Sequence, residues 1–305
     1  MHYNSLNEKL KRQFGCKVYK LSLSGGMTCP NRDGTIGTRG CIFCSEKGSG
    51  DFAEPLCEDI FLQIERARGQ VAKKVKNAKY IAYFQSFTNT YAPVEHLRKT
   101  FKRAISHPDI VALSIATRPD CLGKEVLELL AELAKEKPLW VELGLQTANE
   151  KTAEYIRRGY KNGVYLEAVK NLHKIGAEVI THIILGLPGE DITDMLKTVR
   201  LAAAAETDGV KLQLLHILKG TDLAADYAQG KFKALSLEEY ADILCRCIEA
   251  LPENTVIHRL TGDGDKRLLI APEWSADKKT VLNAINKRLG EKNIAQGSKA
   301  EQITV

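Results

Sequence analysis

The chain has 305 residues, 44% of them hydrophobic, and a formal net charge of +6. It is long enough to bury one large core, or a core with an appendage. No stretch reaches the roughly 18 apolar residues of a membrane span, and the polar opening MHYNSLNEKLKRQFG is no signal peptide. A cytoplasmic protein with no membrane segment is therefore expected, in which the eight cysteines serve as thiols or metal ligands rather than disulfides. The mild positive charge permits nucleic acid or another polyanion without requiring it.

Strand-like apolar runs occur at 17–24 (KVYKLSLS), 79–86, 109–117, 139–147, 177–188 and 209–217. Between them, segments 58–75, 94–106, 124–136, 164–176 and 192–206 carry apolar residues at i, i+3, i+4 spacing. Repeated strand–helix units predict a parallel α/β sheet, and apolar residues on both strand faces suit an open partial barrel or a doubly wound sheet. After residue 220 the order changes. A helix at 236–252 is followed by strand-like TVIHRL and RLLIAP around the turn TGDGDK, then a helix at 277–290. The expected organisation is a core over 1–220 and a small α+β extension over 221–305, with a flexible tail from 295 onward.

The loop after the first strand, TCPNRDGTIGTRGCIFCSEKGSG (28–50), places Cys29, Cys41 and Cys44 in a glycine-rich segment. In a barrel this lies on the C-terminal face, where ligand sites gather. A tetrahedral zinc site needs four ligands, and no fourth Cys or His is close. An iron–sulfur cube held by three thiolates leaves one iron open to an outside ligand, which is a chemical reason for three. A zinc-stapled loop with a distant fourth ligand is the alternative. The other cysteines (16, 57, 121, 245 and 247) form no second trio.

Cys29-x11-Cys41-x2-Cys44, with Phe43 before the last cysteine, resembles the cluster loop of radical S-adenosylmethionine (SAM) enzymes. Its long first spacer is similar to that of the elongator catalytic-subunit-like branch. TRPD (117–120), ELGLQT (142–147), RRGY (157–160), THIILGLPGE (181–190) and HRLTGDGDKRLLIAPEW (258–274) agree, and nearly the whole chain resembles the bacterial YtqA/YhcC/MnmL type of that branch. The resemblance implies a partial (β/α)6 TIM-type barrel, a [4Fe–4S] cluster on Cys29, Cys41 and Cys44, and SAM as second cofactor. It also implies reductive cleavage of SAM to a 5′-deoxyadenosyl radical, using a low-potential electron donor such as flavodoxin or ferredoxin.

The resemblance assigns SAM contacts as well. Phe43 packs near adenine or cluster, or merely anchors its loop. Thr117 opens the TRPD segment. Gln146 offers a polar contact at the end of the fourth strand, or caps it. Arg158 grips the SAM carboxylate with its planar fork, unless Arg157 takes that role. His182 meets the ribose, or is a core histidine bonded to backbone. Gly186 and Gly189 let backbone approach adenine, or form a simple turn. Two departures stand out: QSFTNTY (85–91) replaces a Gly-Gly-Glu-like stretch, leaving Ser86, Thr88 and Asn89 as candidates, and Ala116 stands where the branch often has glutamate.

The expected substrate is tRNA, at the side chain of a wobble uridine. Basic segments 73–79, 98–103, 157–161 and 277–290, with nearby tyrosines, are candidates for phosphate and base contacts. Rival readings are a radical SAM enzyme acting on a small molecule or protein, and a non-catalytic, zinc-stabilised RNA-binding module.

Overall fold

Six apolar segments become six parallel strands: β1 (Val18–Leu23), β2 (Lys79–Phe84), β3 (Ile110–Thr117), β4 (Leu139–Gln146), β5 (Glu178–Leu185) and β6 (Gly209–Leu214). They pair in chain order in the computed structural model, which describes residues 2–48, 50–57, 59–72, 78–262 and 264–300. The connecting helices are α2 (Ile60–Ala72), α3 (Val94–Ile105), α4 (Lys124–Glu136), α6 (Asn162–Lys174) and α7 (Ile192–Ala204). Short helices α5 (Glu150–Tyr155) and α8 (Asp222–Ala228), and an N-terminal helix α1 (Leu6–Phe14), go beyond the periodicity. The C-terminal segment supplies α9 (Leu237–Ala250), β8 (Val256–Arg259) and α10 (Lys278–Glu291). Strand β8 pairs in parallel with β6 as a seventh strand of the same sheet, while β7 (Ile217–Leu218) and β9 (Leu269–Ala271) form a separate antiparallel pair.

One hydrogen bond shows that the sheet is curled. On a flat sheet β2 and β6, four places apart, would be separated by about 19 Å at ~4.8 Å per strand. Yet Lys211 Nζ on β6 donates to the Tyr83 hydroxyl on β2 at 2.9 Å. The sheet is therefore an open half-barrel, the one of the two arrangements left open by the repeating units that the family resemblance implies.

The period of two along each strand divides the residues between two environments. Outward residues such as Leu21, Phe84, Ile115, Val141, Val179 and Leu212 join the main core beneath the helices. The inner face is not uniformly apolar, contrary to the sequence expectation. Its lowest layer is apolar: Ile81, Ala112, Trp140 and Ile180 are buried with Leu10 of α1, which plugs the N-terminal end of the half-barrel. Above it, the inward residues are Lys20, Tyr83, Ser114, Glu142, His182 and Lys211. The plug itself is well specified. Ser5 caps α1 by accepting from Glu8 N, Gly15 ends it in the left-handed conformation, and Lys9 pairs with Glu178.

The start of the expected flexible tail is ordered. Buried Gln296 donates to the carbonyls of Pro252 and Thr255, and accepts from Asn4 N at 2.8 Å. A polar side chain spent on three backbone partners fastens residue 296 to the N-terminal segment and to the α9–β8 connection; residues 301–305 lie outside the described residues. Of the basic segment 73–79, residues 73–77 also lie outside them.

Candidate active site

The loop after β1 is fixed at several points on the C-terminal face. Buried Gln63 of α2 clamps Ser24 by accepting from its N–H and donating to its carbonyl, each at 3.0 Å. Thr28 O accepts from Thr88 N at 3.1 Å, and Ile42 N donates to Ile156 O at 3.2 Å. Within the loop, Cys29 O accepts from Arg32 N and Asp33 N, forming a tight turn. The Arg32 guanidinium then donates to the carbonyls of Cys44 and Ser45. Gly40 is required here: its φ is +73°, and a Cβ would lie 2.9 Å from Arg32 Nε. Asn31, 4% exposed, donates to Arg157 O at 2.8 Å and to Cys41 Sγ at 3.4 Å.

Cys29, Cys41 and Cys44 border one cavity of about 230 Å³ that runs from this loop into the half-barrel. Among the described residues no three His, Cys, Asp or Glu side chains converge as on a single ion. Burial, with Cys44 close by, pushes the Cys41 thiol up to about 12. Such a thiol ionises readily only against an added cation, which iron provides. The donor set, its burial and the Asn31 contact to sulfur thus fit a cluster bound by three thiolates.

The expected SAM contacts divide into two groups. Phe43, Thr88, Thr117, Gln146, Arg158 and His182 line the cavity. Ser86, Asn89 and Gly186 do not: Asn89 Nδ2 ties the carbonyls of Phe84 and Ala116 together, and Leu235 fills the space that a Cβ on Gly186 would need. Gly186, at a φ of +88°, thus leaves room for the Leu235 side chain.

Gln146 carries the clearest mark of a ligand contact. Its φ is +63°, and it sits where the β4–β5 register shifts. Among the described residues its Oε1 is buried without a hydrogen-bond partner. A strained, bulged position that presents an orphan acceptor to a cavity is costly unless a ligand completes it.

Arg158 is different. Its Nε and Nη2 donate to Tyr160 O at 2.9 and 2.7 Å, Nη1 donates to Leu145 O and Thr147 O at 2.9 and 2.7 Å, and Nη2 also faces Glu150. All five N–H groups are thus engaged by the protein, at a side chain 2% exposed. The guanidinium staples the end of β4 to the loop after α5 and has no donor left over for a SAM carboxylate. Arg157 pairs with Asp222 instead, and its carbonyl faces Cys41 and Asn31.

Deeper in the cavity, Glu142 is the centre of a network that sequence reasoning missed. Its Oε1 accepts from Lys20 and from Ser114 Oγ at 2.7 Å. Its Oε2 accepts from Lys211 and from Tyr83 OH at 3.0 Å, and lies 2.7 Å from His182 Nε2. Burial would raise the Glu142 carboxyl, but Lys20, Lys211 and His182 hold it well below the carboxylate range. His182 is therefore bonded to a carboxylate, not to backbone, and burial pushes it down to about 4, leaving a neutral ring. The signal was present in sequence: Lys20, Glu142 and Lys211 are charges inside otherwise apolar strands.

Comparison with known proteins decides the family. The Radical SAM superfamily model matches residues 33–202, more than half of the chain, and the Radical_SAM C-terminal domain model matches 207–291. The chain belongs to the radical SAM superfamily. It is 47% identical to YtqA of Bacillus subtilis (strain 168) over 295 residues, covering 97% of this chain and 92% of that protein. It is 28% identical over 156 residues to the tRNA uridine(34) acetyltransferase of Methanocaldococcus jannaschii, covering 50% of this chain and 28% of that one. The structure of archaeal Methanocaldococcus infernus Elp3 lacking residues 1–46 superposes with a TM-score of 0.71 at 18% identity, covering 92% of this chain and 64% of that one. As a radical SAM protein the chain uses a [4Fe–4S] cluster and SAM. No helix among its described residues is long and apolar enough to cross a membrane.

The basic segments of this radical SAM protein are largely paired. Arg98 meets Glu132, Lys102 meets Glu136, and Arg103 meets Asp59 and stacks on Phe61. In α10, Arg288 binds Asp242, which also receives Lys292. Charges neutralised by carboxylates are weak attractors for phosphate, so neither segment stands out as a nucleic-acid surface. Cys245 and Cys247 are core residues of α9.

Proposed function

We propose that this radical SAM protein is a cytoplasmic enzyme that cleaves SAM reductively and uses the resulting radical to modify the side chain of a wobble uridine in tRNA. The observation that carries the catalytic part is a single cavity with three cysteines on its rim and the orphan acceptor of Gln146 in its wall. Cys29, Cys41 and Cys44 would hold the cluster, and Gln146 would complete its hydrogen bonding on SAM. The bound cofactors supply a carbon-centred radical, given an electron from a donor such as flavodoxin or ferredoxin. This chain's residues hold and shield them: Asn31 orients Cys41, Arg158 rigidifies the strand end carrying Gln146, and the α1 plug closes the far end of the half-barrel to water.

The tRNA part is supported by likeness to an acetyltransferase named for tRNA uridine 34 and by the fold shared with Elp3. After anaerobic reconstitution we expect about four irons per chain. Alanine at Cys29, Cys41 and Cys44 together should remove most of them; retained iron, or stoichiometric zinc, would sink the cluster assignment. Nucleoside analysis of tRNA from a deletion strain tests the substrate. A less processed wobble uridine is expected, and an unchanged profile would redirect the radical chemistry to a small molecule or protein.

A further inference from the structure

The charged layer at the base of the cavity has a cation to spare. Lys20 and Lys211 share the single carboxylate of Glu142, and both of its oxygens are already filled by Lys20, Ser114, Tyr83, His182 and Lys211. Lys20 approaches from behind, over the ring of Trp140, and does not line the cavity. It is sufficient to balance Glu142. Lys211 does line the cavity, with Tyr83 and Arg259 beside it, and its side chain is 5% exposed. An ammonium held in so little water needs a counter-charge of its own. Burial, with the cations Lys20 and Arg259 nearby, pushes Lys211 down to about 7 despite the pull of Glu142.

The layer is also placed and shaped as a binding floor. It ends the same cavity whose rim carries the three cysteines, so a molecule seated on it would extend toward them. Its polar groups are held rigidly by strands rather than loops. Tyr83 is fixed between Lys211 Nζ, at 2.9 Å, and Glu142. His182, neutral and bonded to Glu142, adds no competing charge.

We infer that Lys211, backed by the Lys20–Glu142 pair, binds an anionic group of the substrate, a carboxylate or a phosphate, and so sets which part of that substrate faces the cluster. This rests on radical SAM membership and not on tRNA, since an acidic substituent of a nucleotide and an acidic small molecule present the same group. The nucleoside profile therefore tests the tRNA reading separately.

The probes are trifluoroacetate, followed by 19F NMR, and inorganic phosphate, followed by 31P NMR, titrated into cluster-loaded protein with SAM bound. Acetate should displace trifluoroacetate while neutral acetamide does not, and the tighter of the two probes identifies the group. Lys211→Met should weaken binding by about tenfold or more, whereas Lys211→Arg should stay within about threefold of wild type, because the arginine keeps the charge. Iron content reports whether each variant has folded, and the acetamide comparison on wild type needs no variant. Equal competition by acetamide, or anion binding unchanged in Lys211→Met, would overturn the inference. So would anion binding seen only when SAM is left out, which would make this the cofactor's own site.

Discussion

Replacing Arg158 by alanine separates a scaffold from a cofactor ligand. The substitution removes five donors and strands the carbonyls of Leu145, Thr147 and Tyr160 in a site where the side chain was 2% exposed. Hydrogen bonds to a charged group contribute about 1.5–3 kcal/mol each, and the losses are not additive because a water can enter the vacated space. A total of about 4 kcal/mol or more is expected, which for a domain of this size corresponds to a melting temperature lower by roughly 8–16 °C. SAM affinity should fall only as a consequence, through loosening of the strand end that carries Gln146. Thermal melts and SAM calorimetry on one anaerobic, cluster-loaded preparation measure both. Arg157→Ala, which removes a half-exposed ion pair with Asp222, should cost no more than about 1 kcal/mol. A melting temperature unchanged for Arg158→Ala, with SAM bound about tenfold more weakly, would refute the scaffold reasoning and restore the carboxylate contact.

Two other changes give equally distinct outcomes. Gln146→Gly should relieve the positive φ of +63° and raise stability by about 0.5–1 kcal/mol, while SAM binds roughly tenfold more weakly for lack of the amide; denaturant melts and calorimetry check the opposed signs, and lower stability with normal affinity would contradict them. His182 has a folded-state value of about 4 against an ordinary 6.5, so its contribution is fully present above pH 6.5 and is lost as pH falls toward 4. Wild type should therefore lose about 1.4 kcal/mol per pH unit in that window relative to His182→Gln, and parallel stability curves from urea melts would show that the ring is not held neutral.

Period was enough to identify six parallel strand–helix units and spacing to single out the three-cysteine loop, because both are local patterns: strand alternation depends on near neighbours, and the three cysteines share one loop. The choice of a partial barrel over a doubly wound sheet came from the resemblance to radical SAM enzymes. Even the charged layer left a trace, since Lys20, Glu142 and Lys211 interrupt apolar strands at inward positions. That they meet at one carboxylate could not be read from the chain, for they come from β1, β4 and β6 and touch only because the sheet curls. Arg158 and Gly186 show the same limit from the other side. Each sits at a position that suggests a cofactor contact, yet distant partners had already taken its capacity: backbone carbonyls the guanidinium of Arg158, and Leu235 the open face of Gly186. Sequence determines which groups a residue carries. Whether those groups remain available to a ligand is decided by hydrogen-bond and packing partners that only the closed tertiary structure brings into reach.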